Sequence, residues 1–148
     1  MAHPRPLGHI SIGVRNYEVS KAFYTAVFET LGLQLVFDSE ANGATTGKTR
    51  TLGFGPDAEH EMVNVFEFGA DAHPPGPGFH VAFNAPSRAA VIEFHAIALG
   101  FGGHDNGLPG VRKHYGDFYF AAFVVDPDGW RLEAVCKDEI EDEAGEHN

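Results

Sequence analysis

The chain has 148 residues, 43% of them hydrophobic and 21% charged, and a formal net charge of −11. That length suits one domain with a real core, and the negative balance argues against a nucleic-acid partner because no basic patch can neutralise phosphates. No apolar run approaches the roughly 20 residues that span a bilayer. The start MAHPRPLGHISIG also lacks the basic-then-apolar order of a signal peptide, so no membrane partner and a cytoplasmic location are expected. The single cysteine, Cys136, rules out an internal disulfide and a thiolate zinc cluster and reads as a small core residue.

In chain order, Ile10, Ile12 and Val14 alternate with smaller or polar residues, which predicts a half-buried strand. Val19, Phe23, Ala26, Val27 and Leu31 follow at helical spacing, with Asn16 or Ser20 as N-cap and Gly32 as the stop. Strand-like segments LQLVFDS, KTRTLGFG and EMVNVFEFG come next, and EANGATTG reads as a loop. GADAHPPGPG, rich in Gly and Pro, reads as a hinge. Then the pattern restarts. Val81 and Phe83 open a strand, Ser87 caps a helix whose face is Val91, Phe94, Ile97 and Ala98, and strands are expected near 101–108, in DFYFAAFVVD and in WRLEAV. GGHDNGLPG reads as a loop, and GFGGHDNG lacks the Lys-Ser/Thr ending of a phosphate-binding loop.

An ungapped offset of 71 places His9 on His80, Ile10 on Val81, Phe23 on Phe94 and Gly32 on Gly103. This is an internal repeat, and each unit reads βαβββ. The expected fold class is α+β: two paired βαβββ modules, about 7–69 and about 78–136, with curved mixed sheets around a central cavity. They form a single domain over 1–148, with the acidic stretch 137–148 as a solvated tail. Neither unit has a sufficient core alone, so the two must pack together.

Of the nine histidines, His9 and His80 stand out because each opens the first strand of its unit. His3, His147, His60 and His73 fall at termini or in loops, and His95 on a helix face. Glu133 lies in the last strand of the second unit, facing away from Trp130, Leu132 and Ala134, and the same offset puts Met62 in its place in the first. A buried carboxylate is costly unless paired or metal-bound. Two imidazoles and a carboxylate suit one divalent metal ion, whether zinc, iron, manganese, nickel or cobalt.

With its segments GHISIGV, AFY, GFHVAF and DPDGWRLEAV, the chain resembles the vicinal oxygen chelate superfamily. That group holds glyoxalase I, bleomycin-resistance proteins, fosfomycin-resistance transferases and extradiol dioxygenases. The resemblance implies a metal at His9, His80 and Glu133, a small-molecule substrate and a homodimer. In glyoxalase-like members a Glu or Gln usually fills the fourth position. Here that position is Met62, with Glu61 expected on the other face and Asn64, two residues on, able to face inward.

The implied activity is that of a metal-dependent lyase, isomerase or transferase acting on a small oxygenated molecule, with Glu61 and His114 as candidate bases. His114, Tyr115 and Tyr119, with Arg112 and Lys113, form a cationic-aromatic group suited to the cavity rim and to an anionic or phenolic substrate. A solvated loop is the alternative for that segment. A bleomycin-resistance-like binding protein is the alternative function. An extradiol dioxygenase is a further one, for which a tyrosine would be asked where Phe123 stands.

Overall fold

The computed structural model describes residues 6–43 and 48–139. His3, His147, the end of EANGATTG and the acidic stretch from 140 lie outside the described residues. The first module comprises β1 (Ile10–Val14), α1 (Tyr17–Glu29), β2 (Gln34–Asp38), β3 (Thr51–Gly55) and β4 (Val63–Glu67). A 3-10 turn at Gly69–Asp71 leads to the second, made of β5 (Val81–Asn84), α2 (Arg88–Gly100), β6 (His104–Val111), β7 (Phe120–Val125) and β8 (Arg131–Cys136).

Each module is a four-stranded sheet with its helix on one face, in the orders β1-β4-β3-β2 and β5-β8-β7-β6. The first and last strands of each module run parallel and the other neighbours antiparallel. Among the described residues the two sheets are not joined by a strand pairing, so the α+β, two-module reading holds with open rather than closed sheets.

Capping explains where the helices begin. The Asn16 side chain accepts from the Val19 N–H at 2.9 Å, and Ser87 Oγ accepts from the Ala90 N–H at 3.0 Å. Gly32, at φ 77°, reverses the chain after α1. Its counterpart after α2 is Gly102, at φ 94°, and not Gly103.

The buried stripe of α1 is Tyr17, Ser20, Phe23, Tyr24, Val27 and Phe28, while Val19 is exposed. The face is turned from the expected one because Tyr24 and Phe28 also fill the seam between modules. On α2, His95 is buried, with Nε2 2.9 Å from Asp105 Oδ1. The segment GGHDNGLPG is not a loop, since most of it belongs to β6. Its register slips on both sides of Gly107, and Pro109 is tolerated because β6 is an edge strand, with only one side to satisfy.

One buried acid links the modules. Asp126 Oδ1 accepts the backbone N–H groups of Asp128, Gly129 and Trp130, and Oδ2 accepts the Tyr24 hydroxyl from α1 at 2.5 Å. Trp130 Nε1 donates to the Gly13 carbonyl of β1 at 2.7 Å. Phe28 meets Phe83 edge-on across the same seam, with ring centroids 5.1 Å apart.

Burial pushes the Asp126 carboxyl above the ordinary aspartate range, although its hydrogen bonds pull the other way. A raised folded-state pKa means that the folded form holds its proton longer than the unfolded chain. This contribution to stability is complete at low pH and declines as pH climbs from about 4, the unfolded value, through the folded one. Tyr24→Phe should cost about 1–3 kcal/mol in urea denaturation, because Oδ2 is left buried without its donor. Asp126→Asn should lie further below wild type at acidic pH than at neutral pH, since only wild type loses stability as this carboxyl ionises.

Candidate metal centre

Strand β8 alternates as its sequence requires. Leu132, Ala134 and Cys136 enter the core, and Glu133 points to the opposite face. Glu133 is nevertheless only 2% exposed. Its Oε1 lies 2.9 Å from His80 Nε2, and its Oε2 accepts a short hydrogen bond from the Tyr119 hydroxyl. Directly across on β7 stands Phe123, whose ring meets the His80 ring at 5.8 Å. The hydroxyl absent at 123 is thus supplied from 119, just before β7.

Tyr119 carries the consequence of this placement. Burial, then its bond to the Glu133 carboxylate, pushes its phenol up to about 12. At neutral pH it is a donor and not a base. Tyr115 packs at a tilt against Tyr119, with ring centroids 5.2 Å apart, and His114 against Tyr115 at 4.0 Å, so the expected aromatic group exists. Arg112 turns elsewhere, donating to the Gly110 and Leu108 carbonyls and bracing the irregular β6.

His9 and His80 line one cleft of about 1090 Å³, with Glu61, Met62, Phe79 and Phe83 among its other walls. Glu133, His114 and Tyr119 are not among its lining residues, and Glu133 meets the cleft wall through His80. Among the described residues, only Asp57, Glu59 and His60 have ligand atoms all within 4.8 Å of one another, and all three are exposed. His80 and Glu133 are therefore brought together, while His9 shares the cleft without closing a trio of that kind.

Strand register corrects the position of the fourth residue. β5 and β8 pair Ala82 with Glu133, and β1 and β4 pair Ser11 with Asn64. Since Ser11 and Ala82 are repeat equivalents, the counterpart of Glu133 is Asn64, not Met62. The antiparallel neighbours agree, with Gly53 opposite Asn64 and Phe123 opposite Glu133. The first module has two more residues than the second between its first and last strands, which an ungapped overlay cannot show. Glu61 was also expected on the other face. Instead it precedes β4, and its Oε1 accepts from Asn64 Nδ2 at 3.0 Å.

The residues suit a first-row divalent cation. A buried carboxylate held by an imidazole and a phenol offers mixed oxygen and nitrogen donors. Asn64 Oδ1, at the matching place in the first module, is buried and has no hydrogen-bond partner among the described residues.

Residues 6–134 match the family model for the Glyoxalase/Bleomycin resistance protein/Dioxygenase superfamily, and the chain belongs to that superfamily. It is 30% identical over 129 residues to the lactoylglutathione lyase of Salmonella typhimurium, covering 86% of this chain and 89% of that one. Among solved structures it is similar to a glyoxalase/bleomycin resistance protein from Albidiferax ferrireducens. The TM-score is 0.68 at 26% identity, over 87% of this chain and 96% of that one. A genomically encoded fosfomycin resistance protein from Listeria monocytogenes shares the fold, with TM-score 0.64 at 15% identity over 93% and 97% of the two chains.

Tyrosine ring-carbon NMR of the protein as folded should show the Tyr119 phenol titrating near 12. In Glu133→Gln it should move down but stay above the ordinary phenol value of about 10, because the neighbouring negative charge is gone while burial, the larger cause, remains.

Proposed function

We propose that the protein is a divalent-metal-dependent lyase of glyoxalase type, acting on a small substrate that bears neighbouring oxygens. The observation that carries this reading is the His80–Glu133 pair, a buried carboxylate aimed at an imidazole beside a cleft. The lactoylglutathione lyase relative supports the reaction class.

His80 and Glu133 would hold the cation, with His9 as the further ligand from the other module. When bound, the cation supplies Lewis-acid stabilisation of charge developing on a substrate oxygen. Tyr119 holds Glu133 by Oε2, which leaves Oε1 directed at His80. Phe79, Val81 and Phe83 line the cleft and exclude water from a substrate seated there. Of the two candidate proton acceptors, Glu61 lines the cleft and His114 does not, so the proton would pass to a Glu61 carboxylate oxygen. The homodimer belongs to the same proposal, because His9 stands apart from the His80–Glu133 pair within one chain. That separation also favours a second reading, a ligand-binding protein without chemistry.

Two measurements separate these readings. Elemental analysis of untagged protein should find about one metal ion per chain, absent from His80→Ala. The metal-loaded protein should turn over lactoylglutathione, after which the Salmonella relative is named, and Glu133→Gln should lower kcat/KM by at least about 100-fold. Metal uptake without turnover would reject this substrate. No uptake by wild type would leave the binding-protein reading, and sedimentation of the loaded protein reports the dimer directly.

A further inference from the structure

The two helices match on their buried sides and differ on the outside. The repeat puts the buried Phe23, Tyr24 and Val27 of α1 on the buried Phe94, His95 and Ala98 of α2. On the outer side it puts Glu18, Lys21, Thr25 and Glu29 on Ala89, Ile92, Ala96 and Gly100. Module one ties its outer charges to its own sheet, Glu18 to Arg50 and Lys21 to Asp38, each at 2.8 Å. On α2 the side chains of Ala89, Ile92, Ala96 and Leu99 face solvent instead, Ile92 at 51% exposure and Leu99 at 43%.

A helix that is apolar on every side belongs in an interior, and Arg88 and Glu93 are the only Asp, Glu, Lys or Arg residues of α2. The order of the exposed residues says what would cover them. Ala89, Ile92, Ala96 and Leu99 take the alternating three- and four-residue steps of a coiled-coil seam. In two copies packed antiparallel about a two-fold axis level with Phe94, Ala89 meets Leu99 and Ile92 meets Ala96. Every layer then sets one small side chain against one large, which a parallel pair cannot do. Phe101, exposed just past the helix, comes level with Arg88 of the second copy. That guanidinium already lies over Phe120, and its Nε is buried with no hydrogen-bond partner among the described residues.

We propose that the outer face of α2 docks a second copy of this chain as an antiparallel helix pair. The face lies across the sheet from the candidate site. α2 packs on β6, β7 and β8 over the core side chains Leu132 and Ala134, whereas Glu133 points the other way. This contact is therefore distinct from a dimer built around the cleft, and it does not depend on metal. A helix of 13 residues gives a seam only about 20 Å long, well short of a permanent interface, so the association is reversible.

The test is sedimentation velocity of the chelator-treated full chain across a concentration series. Wild type should associate as concentration rises. Ile92→Glu and Ala96→Glu should weaken that association at least about 10-fold, since each buries a charge in the seam. Thr25→Glu, at the place on α1 equivalent to Ala96, should leave it unchanged, and thermal midpoints taken alongside show that each variant is folded. Glu93 borders the seam beside the axis, so two copies bring two carboxylates together, and Glu93→Gln should tighten association about two-fold.

A short bismaleimide reads the register. A mixture of Ala89→Cys and Leu99→Cys proteins should be joined, while Ala89→Cys alone should not, because its two copies stand about 15 Å apart along the seam. Wild type, whose Cys136 is buried, is the blank. Equal joining of Ala89→Cys alone would overturn the antiparallel pair. A wild-type sedimentation coefficient that does not change with concentration and equals that of Ile92→Glu would overturn the docking face. Association lost in His9→Ala but kept in Ile92→Glu would overturn it too, and would leave a dimer around the cleft.

Discussion

The geometry of the site depends on how Asp126 ties the turn before β8. Three backbone N–H groups converge on one of its oxygens, and a hydroxyl from α1 of the other module takes the second. That arrangement fixes which residue begins β8. Because side chains alternate along a strand, a slip of one residue would send Glu133 into the core under α2 and turn Leu132 or Ala134 toward His80. The acid that joins the modules is also the one that sets the register of the candidate ligand, so fold and site share a single constraint.

Glu133 shows what this register makes tolerable. A buried carboxylate has to recover the hydration it loses, and here an imidazole and a phenol offer two contacts. The raised phenol of Tyr119 is the other side of the same contact, since a proton is held harder between a buried ring and an anion. The two modules differ at this position. The second places its acid in register opposite a bulky Phe123. The first has an amide in register, a glycine opposite, and an acid arriving from a segment laid over the sheet.

Much of this was legible along the chain. The helices were marked by their caps and apolar spacing, the repeat by His9 and His80 opening equivalent strands, and the inward face of Glu133 by simple alternation. Tyr119 and Glu61 also stand out in the sequence, one for the cavity rim and the other as a candidate base. The expectation for Glu61 failed because alternation holds only inside a strand, and Glu61 precedes β4. The alternating glycines of TLGFG were the available signal, since two positions without Cβ on one strand face mark a close approach by other backbone. β6 answers the strand expected near 101–108, while the loop reading of GGHDNGLPG failed because its Gly and Pro content is that of a loop and its place at a sheet edge tolerates both.

The sequence by itself determined the two βαβββ modules, their helix ends, and the residue types able to bind a metal, because these follow from periodicity, capping and side-chain chemistry within short windows. Only the tertiary structure decided that Asn64 and not Met62 is the counterpart of Glu133, that Glu61 bonds Asn64, that Tyr119 reaches the carboxylate, and that His9 lines the cleft with His80 without closing a trio with Glu133. Each of these depends on hydrogen-bond register between strands distant in the chain, or on how one module sits against the other. Two extra residues in a connection shift such a register without disturbing any local pattern.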